Sequence, residues 1–129
     1  EQIDAAKKAL TENQPELVLK LCSQSLRVLG PNSEIYDLIS DAYLNLKRYQ
    51  DAETFLLHSV ALEGISLKRC FNLVSFSMMR KDYLLANYYL IKASEIDPSS
   101  PDIQRLKSIL NDRNSNQSAP FSFSDKVSL

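Results

Sequence analysis

From Ile3 to about Asp112 the apolar residues recur at spacings of three and four, as in Ile35, Leu38, Ile39, Ala42 and Leu46. That is the period of helices that bury one face, not the alternation of strands. Breaks interrupt the pattern at Asn13 to Pro15, Gly30 to Asn32, Lys47 to Arg48, Gly64 to Ser66, Lys81 to Asp82 and Asp97 to Pro101. Pro15 after Gln14, and Pro101 after Ser100, each put proline at a first helical position, where its missing N–H has no partner to lose. The pattern therefore predicts seven helices, over residues 3–11, 15–29, 33–46, 50–63, 67–80, 83–96 and 101–112, in an all-α chain.

A longer period runs above the helical one. Tyr49 and Ala52 recur 34 residues later as Tyr83 and Ala86, Leu56 recurs as Leu90, and Leu62 as Ile96. Gly30, Gly64 and Pro98 keep the same offset, each where a second helix must stop and turn. One unit is thus a helical hairpin repeated in tandem. The alanine is a packing residue: antiparallel helices approach closely only where a small side chain lets one backbone near the other, and the tyrosine one turn earlier fills the adjoining wedge.

This pattern resembles the tetratricopeptide repeat, a 34-residue unit with fixed aromatic, small and turn positions. In the repeat from Ser33 to Ser66 those positions hold Tyr36, Ile39, Ser40, Tyr43, Ala52, Leu56, Ser59 and Gly64. In the repeat from Leu67 to Ser100 they hold Cys70, Leu73, Val74, Ser77, Ala86, Leu90, Ala93 and Pro98. A degenerate first repeat reads Ala5, Ala9, Val18, Cys22, Ser25 and Gly30, with departures from the pattern at Val18 and at Cys70. The resemblance implies tandem helical hairpins in a short right-handed superhelix: repeats near 1–32, 33–66 and 67–100, closed by a capping helix over 101–112. Related helical-hairpin solenoids are the alternative architecture. The last helix suits the capping role, since Ile103, Leu106, Ile109 and Leu110 form an apolar stripe opposite Asp102, Arg105 and Lys107.

In that family the first helices of successive hairpins line a concave groove that binds extended or helical peptides. Carried over by register, the groove comprises Ile3, Lys7 and Leu10, then Glu34, Asp37, Leu38, Asp41, Leu44 and Asn45, then Lys68, Phe71, Asn72, Ser75, Met78 and Met79. Its chemistry is apolar with an acidic patch. Phe71 has two readings, as a groove anchor or as core, because Leu67, Phe71, Val74 and Met78 also form a helix stripe. The adjacent methionines likewise serve either as adaptable contacts or as gap-fillers. The subfamily that clamps acidic C-terminal peptides of heat-shock chaperones uses lysine, arginine and asparagine at positions where this chain has Ile3, Lys7, Leu38, Lys68 and Asn72. Only Lys68 matches, so that ligand is not expected.

Composition narrows the function classes. At 129 residues the chain has the size of one ordinary domain, and its formal charge of -1 draws it to neither nucleic acid nor anionic membrane. The basic pairs Lys68-Arg69 and Arg80-Lys81 are sparse and offset by nearby acids, and no apolar run approaches the roughly 20 residues of a membrane span. Cys22 and Cys70 sit in apolar helical patterns and read as buried free thiols, which favours a reducing, cytoplasmic setting. No secretory leader opens the chain, so the sequon Asn116-Gln117-Ser118 carries no expectation of glycosylation. His58 is mid-helix with no nucleophile arranged around it, the cysteines and histidine match no zinc spacing, and two glycines at helix ends make no phosphate loop. No enzyme activity, cofactor or metal is expected. After Asp112 the composition turns to serine and asparagine, predicting a disordered tail over 113–129, in which Phe121, Phe123, Val127 and Leu129 are either a docking motif or part of a mobile terminus.

Two classes of function remain. One is a protein-binding module, an adaptor or chaperone similar in layout to type III secretion translocator chaperones, with a peptide or helix of a partner in an apolar groove. The other is a structural scaffold subunit that stacks against further helical repeats or self-associates. The candidate groove residues are Leu38, Asp41, Leu44, Asn45, Lys68, Phe71, Asn72, Ser75, Met78 and Met79.

Overall fold

The computed structural model describes residues 2–115, with side chains through 112. Among them are seven helices and no strand: α1 (Gln2–Thr11), α2 (Pro15–Leu29), α3 (Ser33–Asn45), α4 (Tyr49–Glu63), α5 (Leu67–Met79), α6 (Tyr83–Ile96) and α7 (Pro101–Ser115). Six of these match the predicted spans to within a residue at each end. The exception is α7, which continues past Asp112 through Ser115 and takes the first three residues of the expected tail into helix. Neither proline nor glycine stands between Pro101 and Ser115 to stop it, and the next proline is Pro120. Residues 116–129, with the rest of the predicted tail and its two phenylalanines, lie outside the described residues, as does Glu1.

The chain divides into two compact units, Glu1–Gly64 and Ile65–Leu129. In the first, α1 packs on α2 and on α3, α2 on α3, and α3 on α4. Its core gathers Ala6, Ala9, Val18, Cys22, Ile35, Leu38, Ile39 and Ala42, with Tyr36, Tyr43 and Phe55 packed at the margin. In the second unit α5 packs on α6, and α6 on α7, around a core that includes Cys70, Phe71, Val74, Met78, Leu90, Ile103, Leu106 and Leu110. The apolar stripe of the last helix is thus buried, with Ile109 half-buried beside it.

The 34-residue period is visible in what is buried. Val18, Ala52 and Ala86 are wholly enclosed, as are Cys22, Leu56 and Leu90 one turn on, and Ser25, Ser59 and Ala93 a turn beyond that. In the second and third hairpins small side chains at the first and third of these positions let the paired helices close, and the Ser40 hydroxyl donates to the Ala52 carbonyl at 2.8 Å, which fixes the approach of α3 to α4. At the far end of the same hairpin the Ser59 hydroxyl donates to the Ser33 carbonyl at 3.2 Å, and the Ser33 hydroxyl to the Glu63 carboxylate. The first repeat departs from expectation at Ala5, which is exposed while Ala6 beside it is buried. One residue along a helix is a turn of about 100°, enough to exchange a core position for a surface one.

The turns inside the three hairpins are also alike. Asn13, Lys47 and Lys81, each 34 residues apart, adopt left-handed conformations with φ of 56°, 60° and 60°. In each turn the left-handed residue donates its N–H three residues back, Asn13 to Leu10, Lys47 to Leu44 and Lys81 to Met78. The residue after it reaches five back, Gln14 to Ala9, Arg48 to Tyr43 and Asp82 to Ser77. This is the Schellman closure, which satisfies the last carbonyls of a helix. The second helices of the first two hairpins end instead on Gly30 and Gly64, at φ of 76° and 96° with ψ near the extended limit, a region open only to glycine. Helix starts are capped by side chains at α3, α5 and α6, where Asn32, Ser66 and Asp82 accept from the N–H groups of Ile35, Arg69 and Leu85.

Candidate functional site

The ten candidate groove residues divide between the units and differ in access. In the first unit Leu38 is 7 % exposed and belongs to the core, Asp41 and Leu44 are half-buried, and Asn45 is exposed at the end of α3. Beside them α1 contributes Ile3 and Leu10, both half-buried against the core, and Lys7, whose Nζ lies 2.6 Å from Glu34 Oε2. That ion pair ties α1 to α3 across an open surface, and the Glu34 carboxylate, as hydrogen-bond partner and as charge, raises the Lys7 pKa. Glu34, Asp37, Asp41 and Leu44 follow at spacings of three and four along α3, so the α1/α3 face presents a row of acids ending in an apolar side chain and an amide.

In the second unit most of the expected groove is interior. Phe71 is 2 % exposed and Met78 1 %, both inside the core with Ile103, Leu106 and Leu110. Asn72 and Ser75 are buried too, and the Ser75 hydroxyl donates to the Phe71 carbonyl at 3.1 Å. Of the expected groove residues on α5, only Lys68, exposed in the first turn, and Met79, half-buried at the last residue, are accessible. Of the two readings of Phe71 the helix stripe is the one realised, and the same holds for Met78. The physical reason is that α5 is buried without interruption from Arg69 to Met78, so no face of it is left for a surface role.

Comparison with protein-family models and with curated proteins finds no match. The assignment of surface chemistry therefore rests on the geometry of the chain itself. Among the described residues no group of histidine, cysteine, aspartate and glutamate side chains is placed to hold a metal ion, and no helix is long and apolar enough to cross a membrane. Cys22 and Cys70 are free and buried, and loss of hydration on burial pushes each thiol up to about 11.

Two surface features went unremarked in the sequence. The first is an aromatic cluster on the α3–α4 hairpin. Tyr36 and Tyr43 flank Phe55 at centroid distances of 6.1 and 5.8 Å, and the exposed His58 ring stands 5.6 Å from Tyr36 and edge-on to Phe55 at 5.4 Å. The Arg48 guanidinium caps the row 4.9 Å above the Tyr43 ring. The signal was present as aromatic residues seven apart on α3 facing a Phe-x-x-His step on α4. The second is the outer side of α6, where Leu84, Tyr88 and Ile91 are 87, 52 and 49 % exposed. Their spacing of four and then three is itself a stripe, hidden in the sequence because the buried Ala86, Leu90 and Ala93 make a second one on the opposite side.

Proposed function

We propose that this chain is a non-catalytic protein–protein interaction module of the tetratricopeptide type, and that the α1/α3 face of its first unit holds an extended or helical peptide of a partner protein. The observation that carries the reading is the row Glu34, Asp37, Asp41 and Leu44, in line on one helix and braced by Lys7 from the neighbouring one. A negative row beside half-exposed aliphatic carbon is complementary to a peptide that alternates basic and apolar side chains, and charge of this kind sets register and partner choice more than raw affinity. The 34-residue recurrence of buried small residues and of left-handed turns supports the repeat assignment. A near-neutral charge and two unpaired thiols fit an intracellular adaptor or chaperone that needs neither cofactor nor metal and engages neither nucleic acid nor membrane.

Peptide-display selection against the full chain tests the reading. Selected peptides are expected to be basic and apolar, to shift the amide resonances of Lys7, Asp41, Leu44 and Asn45, and to lose at least tenfold in affinity on Asp41→Lys or Leu44→Asp while the helical circular dichroism is kept. Peptides that shift resonances elsewhere, or whose binding survives both substitutions, overturn it. A second reading, a scaffold subunit that stacks against further helical elements, is favoured by Val28 and Leu29, 80 and 56 % exposed side by side at the end of α2.

A further inference from the structure

We draw no further inference here: the strongest candidate, the exposed apolar stripe of Leu84, Tyr88 and Ile91 on the outer side of α6, carries none because nothing in the structure shows what covers it.

Discussion

Ala86 and Ala52 stand at equivalent points of two hairpins with no accessible surface at either, and the hydrogen bond from Ser40 to the Ala52 carbonyl shows how near the two backbones of that hairpin come. A side chain with three more carbons has no room at such a point. Ala86→Leu is therefore expected to overpack the α5–α6 pair and lower stability by about 1 to 3 kcal/mol. Urea melts of that variant check this; a variant as stable as the parent would remove the steric argument. Phe71 poses the opposite problem. It was a candidate for a binding surface, and its place among Val74, Leu90 and Leu106 makes it a filler of the second core. Truncation to alanine is expected to cost about 3 to 5 kcal/mol and to speed hydrogen exchange along α5 and α6. Full retention of protection would put Phe71 back on the surface.

At the scale of elements, the hairpin turns hold a reserve of stability. Lys47 and Lys81 close their helices in a left-handed conformation that brings Cβ too near the following carbonyl, a strain of roughly 1 to 2 kcal/mol that glycine does not feel. Glycine gives back part of that gain through its greater freedom in the unfolded chain, about 0.5 to 1 kcal/mol. The balance predicts that Lys47→Gly stabilises by roughly 0.5 to 1 kcal/mol, seen as a higher midpoint in urea at unchanged slope. A lower midpoint would mean that the lysine side chain contributes more than its backbone costs. These turns also show what a sequence conceals. The breaks at Lys47-Arg48 and Lys81-Asp82 were found because the apolar period lapses there, yet nothing in a lysine announces a left-handed residue, and only the common hydrogen-bond pattern of the three turns does so.

Over the whole molecule the helices were legible in the sequence because caps, prolines, glycines and the 3.6-residue period agree at nearly every boundary. The candidate site was less legible, for a reason visible in α5: Asn72 and Ser75 are residue types found on surfaces, so the sequence suggested an open face on a helix that is buried from Arg69 to Met78. What composition did place correctly is one buried thiol in each unit, and these give the molecule a pH dependence that reports on both cores. Folding raises the pKa of Cys22 and of Cys70 from 9.0 to about 11 because burial disfavours the thiolate. Below pH 9 both thiols are neutral, folded or unfolded, and contribute no slope. Between about pH 9 and 11 the unfolded chain ionises first while the folded chain keeps its protons, so the native state binds more protons and stability must fall as pH rises. Lysines and tyrosines titrate in the same range, so the measurement is a difference. Urea midpoints from pH 8 to 11 are expected to fall more steeply for the parent than for Cys22→Ala, and more steeply than for Cys70→Ala, with iodoacetamide at pH 8 labelling both thiols in urea and neither in buffer. Parallel curves for parent and variants, or ready labelling of the native chain, would show that the thiols are solvated and that the cores around them are open.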